Sequence, residues 1–277
     1  MFEPENFISI IHNTEKSSSE LLLEVVTELD RITHDINSKN DFLLVIRNVS
    51  KVLSDGRKEL PIFSLIADEL QKFLSESGSL QVDQQKENLY SLFSSWIDVN
   101  KKTVQRAVKF FQELEYVPSI LTISYSKLVK ETIEKFKPPK VFICESRPLQ
   151  EGARLARDLS KTLDNTEIIL ITDAEGSSKI LTEADIVLLG MDAWFPDNSI
   201  SNKTGSLALA LAAHYANKPV YVLGNILKKV LIMPKDYQQM DKSQDLANKY
   251  PELNKAIAFE TNYFEIIPAN LLTRIIE

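Results

Sequence analysis

Val141-Phe142-Ile143-Cys144 is a short apolar run that stops at a polar loop, Glu145-Ser146-Arg147-Pro148-Leu149-Gln150-Glu151-Gly152. A helical stretch follows, then a second run, Ile168-Ile169-Leu170-Ile171-Thr172-Asp173. A third, Ile186-Val187-Leu188-Leu189-Gly190-Met191-Asp192, leads on to Ser201-Asn202-Lys203-Thr204-Gly205. Short β-branched runs alternating with helical stretches mark βαβ units and a parallel sheet. Each run ends in ionisable or small polar residues, and open α/β sheets bind ligands just beyond the carboxyl ends of their strands. Arg147, Asp173, Asp192, Asn202 and Lys203 are therefore expected to converge on one crevice.

Working outward, Ile120-Leu121-Thr122-Ile123-Ser124 reads as one more strand, followed by a helix from Ser126 to Lys135. Helices are expected near 150–163, 204–217 and 269–276. Residues 225–255, with Pro234, Pro251 and many polar residues, read as an excursion with local helix, and Phe259 to Pro268 as the approach to the final helix. Upstream of residue 116 the periodicity is helical throughout. Ser17-Ser18-Ser19-Glu20 is a cap signal before Leu21, Leu22, Val25, Val26 and Leu29, and Asp55-Gly56-Arg57 is a break between helices. The expected fold is α/β, with a helical N-terminal domain over 1–115 and a parallel-sheet domain over 116–277.

The 277 residues are 44% hydrophobic and 26% charged, with net charge -7. That composition builds a sizeable core. No basic stripe is present, which argues against direct nucleic-acid binding, because phosphate neutralisation needs clustered Lys and Arg. One cysteine excludes an internal disulfide framework. No apolar run reaches the roughly 18 residues of a membrane span. The start, Met1-Phe2-Glu3-Pro4-Glu5-Asn6, lacks a secretory pattern, so the cytoplasm is expected. His12, His34 and His214 are dispersed and neither a metal nor a cofactor is expected.

Each candidate residue has a plainer reading beside the functional one. Asn202-Lys203-Thr204-Gly205 puts a lysine and a hydroxyl at a helix start, where free N–H groups favour a phosphate; the plainer reading is a cap with a solvated lysine. Arg147 and Arg154 would fork onto one phosphate, or Arg147 would pair with Glu145 or Glu151 at the surface. Asp192 would serve as a general base or hold sugar hydroxyls, or simply cap a turn. Trp194 would wall the crevice or an interface. Cys144 reads as a small buried hydrophobe.

Glu145-Ser146-Arg147-Pro148 with Gln150, Gly152, Ala153, Arg154 and Leu155, then Gly190-Met191-Asp192, Asn202-Lys203-Thr204-Gly205 and Phe264-Glu265-Ile266-Ile267-Pro268, occur in an order and spacing that is specific. Together they resemble the family of the translation initiation factor 2B alpha, beta and delta subunits, which includes the methylthioribose-1-phosphate and ribose-1,5-bisphosphate isomerases. The likeness is strongest from about Ile120 to Lys218. It implies a helical domain, a Rossmann-like domain, a sugar-phosphate or nucleotide-phosphate pocket between them, and dimers made through the carboxy-terminal domain. It implies ligand-binding roles for Arg147, Gln150, Gly152, Arg154, Asn202, Lys203, Thr204 and Gly205.

The family's isomerases use a strand-end cysteine and an aspartate. Here Ser124 stands at the cysteine position, whereas Asp192 stands at the aspartate position. A serine hydroxyl is a poor general acid without an activating base. The leading expectation is a non-catalytic, alpha-type factor-2B-like subunit that binds a phosphorylated sugar or nucleoside monophosphate. It would act by assembly, as a homodimer or higher oligomer or with translation initiation factor subunits. The alternative is an aldose–ketose isomerase of ribose 1-phosphate-type substrates.

Overall fold

The computed structural model describes residues 3–13, 16–58, 60–237, 239–253 and 257–277. The chain divides into two compact units, Met1–Lys101 and Lys102–Glu277.

The first unit is helical: α1 (Pro4–His12), α2 (Ser18–Thr33), α3 (Lys39–Ser54), α4 (Ile62–Ser77) and the amino-terminal part of α5 (Val82–Gln112). The Ser17 cap is a full capping box, because its side chain accepts from Glu20 N–H and Glu20 reaches back to Ser17 N–H. Apolar positions at helical spacing meet in a core that includes Leu21, Val25, Leu29, Phe42, Ile46, Val49, Phe63, Ile66 and Leu70, all of them 0% exposed. Asp55-Gly56-Arg57 lies between α3 and α4, as its composition implies.

The second unit is built on a six-stranded sheet in the order β3-β2-β1-β4-β7-β9. Its strands are β1 (Ile120–Ile123), β2 (Lys140–Cys144), β3 (Glu167–Ile171), β4 (Ile186–Leu189), β7 (Val220–Leu223) and β9 (Arg274–Ile276). Every pairing in it is parallel. Strands β1, β2, β4 and β7 are buried along nearly their whole length, so they read as unbroken apolar runs rather than alternating ones. Between strands lie α6 (Lys127–Phe136), α7 (Glu151–Leu159), α8 (Gly176–Thr182) and α9 (Ser206–Tyr215); α10 (Ser243–Ala247) falls in the excursion after β7. One sheet face packs on Leu128, Val129, Ile133, Leu155 and Leu159 with Val104, Ala107 and Phe111 of α5. The other packs on Ile180, Leu209, Ala210 and Ala213.

Two features differ from the sequence reading. No helix covers 269–276. Ala269–Leu271 is one 3-10 turn, and β9 then adds to the free edge of β7, held by Thr273 N–H on the Val220 carbonyl at 2.8 Å and Val220 N–H on Thr273 Oγ1 at 3.0 Å. Leu271, Leu272, Ile275 and Ile276 fit a helical period, and an open strand edge overrode it. There is also a second, antiparallel sheet, β5 (Ala193–Trp194), β6 (Ile200–Lys203) and β8 (Phe264–Ile267), in the order β5-β6-β8. Asn202 and Lys203 lie on β6 rather than at the start of a helix.

Candidate functional site

Strand order places the site. The chain steps from β1 to β2 to β3 in one direction, then returns to the other side of β1 for β4, β7 and β9. The reversal lies between β1 and β4, and the crevice outside the carboxyl ends of such a pair is where open α/β sheets take ligands. Beyond β1 come Ser124, Tyr125 and Ser126; beyond β4 come Gly190, Met191 and Asp192.

The β1 turn is held by the loop after β2. Ser124 has φ +70°, and its N–H donates to Ser146 Oγ at 2.6 Å. Ser146 Oγ in turn donates to the Cys144 carbonyl at 3.0 Å. Ser126 caps α6, its Oγ accepting from Val129 N–H at 3.4 Å. The Ser146 and Arg147 N–H groups both donate to the Asp173 carboxylate, each at 2.7 Å. Asp173 therefore fixes the loop that the sequence singled out. Its last residues begin α7, and Gly152 is required there by space: a Cβ would lie 1.8 Å from the Cys144 carbonyl oxygen.

The structure sorts the expected ligand residues. Arg147 is 59% exposed and its Nε lies 3.1 Å from Glu145 Oε1, the surface pair that its neighbours suggested. Gln150 is exposed, with φ +61° at the start of α7. The Arg154 guanidinium lies 3.8 Å from the Tyr125 ring centroid, while Tyr125 donates its hydroxyl to Asp158 Oδ2 at 2.9 Å. Asn202 donates to Ser206 Oγ at 2.9 Å. Thr204 donates its hydroxyl to the Asn262 carbonyl at 2.7 Å.

Lys203 is not solvated. It is 1% exposed, 3.2 Å from Glu151 Oε1, and 3.6 Å over the Tyr263 ring. Burial pushes Lys203 below and Glu151 above their usual ranges, and each opposes that push on the other. The start of α9 is likewise occupied. Gly205, at φ +106°, presents its N–H to Glu265 Oε1 at 2.7 Å, and Leu207 N–H reaches the same oxygen at 2.7 Å. A carboxylate from β8 thus sits where the sequence reading places a phosphate.

Asp192 lies at the β4 end, its backbone N–H donating to the Ser201 carbonyl at 2.8 Å. Lys228 Nζ is 4.0 Å from Asp192 Oδ1. Lys228 is buried, and desolvation holds its ammonium below the ordinary range against the pull of Asp192. Sequence reasoning missed Lys228, read Glu151 only as a surface partner for Arg147, and named Glu265 only as part of the Phe264–Pro268 segment. For Lys228 the available signal was its position just after β7, where Asn225 Oδ1 accepts from Leu227 N–H at 3.1 Å and shapes the turn. Trp194 lies under Lys229 Nζ, 4.3 Å from the ring centroid. Cys144 is 0% exposed, and burial pushes its thiol up to about 12. Among the described residues no His, Cys, Asp or Glu cluster could hold a metal ion, and no helix is long and apolar enough to cross a membrane.

A model of the Initiation factor 2 subunit family matches residues 14–277. The chain belongs to that family. A putative translation initiation factor eIF-2B subunit 2-like protein of Pyrococcus horikoshii is 30% identical over 201 residues, 62% of this chain and 72% of that one. A methylthioribose-1-phosphate isomerase of Thermosipho africanus is 25% identical over 196 residues, 66% of this chain and 56% of that enzyme. The solved Pyrococcus horikoshii translation initiation factor eIF-2B aligns at a TM-score of 0.79 and 21% identity, covering 98% of this chain and 93% of that one. At that identity the structural likeness establishes the fold: a helical region followed by a six-stranded parallel sheet. Proteins named as translation factors and as isomerases are both among the relatives of this chain.

Proposed function

We propose that this chain is a non-catalytic, alpha-type factor-2B-like subunit. It binds a phosphorylated sugar or nucleoside monophosphate at the β1–β4 crevice and acts by assembly, with itself through the α/β unit or with translation initiation factor subunits, in the cytoplasm. The observation that carries this reading is Ser124. It stands where the resemblance places a catalytic cysteine, at the turn beyond β1 where its N–H is held by Ser146. Cys144 does not replace it, because a buried thiol at about 12 supplies neither thiolate nor an accessible acid. The ligand residues on this reading are Arg147, Gln150, Gly152, Arg154, Asn202 and Thr204, with Lys228 added, while Lys203 and the Gly205 N–H, also expected from the sequence, are already engaged by Glu151 and Glu265.

The test is a thermal-shift panel of ribose 1,5-bisphosphate, methylthioribose 1-phosphate, hexose phosphates and nucleoside monophosphates, each hit followed by NMR for conversion. Binding stabilises the native state by about 2.7 kcal/mol at a hundredfold excess over Kd. A shift without conversion is expected. Conversion of any aldose 1-phosphate overturns the non-catalytic reading.

The second reading is an aldose–ketose isomerase with Asp192 as acid and base, and the observation that favours it is Asp192 at the switch point beside buried Lys228. On that reading Asp192→Asn abolishes turnover while the protein stays folded.

A further inference from the structure

The Lys203–Glu151 pair bears on what the crevice accepts. It adjoins the switch point from two sides. Glu151 precedes Gly152, which packs on the Cys144 carbonyl and comes within 3.0 Å of Ser146 Oγ at its Cβ position. Lys203 is two residues before Gly205, whose Cβ position meets Ile123 at the end of β1. The two side chains are 1% and 7% exposed. Lys203 gives its charge to Glu151 Oε1 and to the Tyr263 ring. Glu151 Oε2 is buried and makes no hydrogen bond among the described residues. Ser201, on the same face of β6 as Lys203, also has a buried hydroxyl without a hydrogen bond among them.

An orphaned buried carboxylate oxygen costs about 1–3 kcal/mol or more, and it accepts but does not donate while ionised. A ligand hydroxyl supplies the missing donor and leaves the ion pair intact. A phosphate brings further negative charge against that oxygen, and Lys203, already compensated, has little net charge left to offer it.

We propose that Glu151 sets the ligand class of this site. It accepts a hydrogen bond from the uncharged, hydroxylated end of a singly phosphorylated ligand and excludes a second phosphate from Lys203. The single phosphate then lies toward Arg147, which is more than half exposed. This rests on the reading that the crevice takes a phosphorylated sugar.

The experiment is calorimetric titration of ribose 1-phosphate and ribose 1,5-bisphosphate into the wild-type chain and Glu151→Gln. The wild-type chain binds the monophosphate at least about tenfold more tightly, the scale of one unit charge at short range in a partly screened site. Glu151→Gln removes the repulsion and narrows or inverts the ratio. Tighter wild-type binding of the bisphosphate overturns the assignment without any variant. So does a ratio that Glu151→Gln leaves unchanged. If Glu151→Gln fails to fold, the double variant with Lys203→Gln carries no uncompensated charge and is titrated instead, with the same narrowed ratio expected. If neither sugar phosphate binds and no other in the panel shifts the melting temperature, the sugar-phosphate reading falls and the Glu151 assignment falls with it; binding with the wrong ratio removes the assignment alone.

Discussion

Replacing Gly152 by alanine tests whether the loop, the strand end and the first turn of α7 form one rigid corner. The added Cβ would lie 1.8 Å from the Cys144 carbonyl oxygen and 2.9 Å from its carbon. Carbon–oxygen contacts ordinarily close to about 3.3 Å, so a displacement of about 1.5 Å is needed to clear the overlap. Neither partner yields cheaply. Cys144 is paired on both sides, to Ile123 of β1 and Ile171 of β3. Helix α7 is pinned by Leu155 and Leu159, both 0% exposed. Inserted methyl groups in a packed core cost about 1–3 kcal/mol when side chains can adjust; here backbone meets backbone, so the expected loss is about 3 kcal/mol or more. For a unit of this size that lowers Tm by about 6–12 °C. The chain has two tryptophans, Trp96 in the first unit and Trp194 in the second. In a Trp96→Phe background, Trp194 fluorescence follows the α/β unit through urea. Gly78→Ala in the first unit, followed through Trp96 in a Trp194→Phe background, is the control, since its Cβ would stand 3.3 Å from the Leu74 carbonyl oxygen, and a change within about 1 kcal/mol is expected. If Gly152→Ala also costs less than about 1 kcal/mol, the corner is not rigid and the argument from close approach is wrong.

Glu265 caps α9 through two N–H groups, so Glu265→Ala is expected to cost about 2–4 kcal/mol in urea unfolding, whereas Glu265→Gln, which keeps an acceptor, should cost under about 1 kcal/mol. Burial holds Glu265 above the usual carboxylate range, so the folded state binds the proton more readily than the unfolded one. Wild-type stability relative to Glu265→Gln therefore rises as pH falls from the folded toward the unfolded pKa, and is lost as pH rises through that window; a flat difference between pH 7 and 4 would contradict it. Cys144 should resist a disulfide thiol reagent at pH 8 in the folded protein and react fully in urea, because its thiol sits at about 12 and is 0% exposed; stoichiometric reaction within minutes in buffer would refute the burial.

The sheet strands were legible because continuous apolar runs such as Val141–Cys144 and Ile186–Leu189 are what strands covered on both faces require. Their carboxyl ends mark the β1–β4 switch point for the same reason. The antiparallel ribbon was not legible: Ser201 and Asn202 are polar, so β6 is not a continuous apolar run, and its partner β8 arrives much later in the chain. That omission put Lys203 at a helix start and hid Glu265. Arg147 went to its plainer partner, Glu145, because a neighbour two residues away is always within reach. The buried pairings of Glu151 and Lys228 left no mark in local pattern. Each became visible only when folding placed it against Lys203 or Asp192.

The late arrival of Phe264–Ile267 and Arg274–Ile276 has a kinetic side. Until they dock, β7 has a bare edge, β6 has only β5 beside it and the amino end of α9 lacks the Glu265 carboxylate. One stretch of chain supplies all three, across a loop running from Leu223. Closing that loop costs entropy before any contact rewards it. Docking of 264–276 is thus expected to be the step at which the α/β unit locks, and pulsed hydrogen exchange tests it: amides of β1, β2 and β4 should gain protection first and those of Gly205 and Leu207 last, and simultaneous protection would contradict the order.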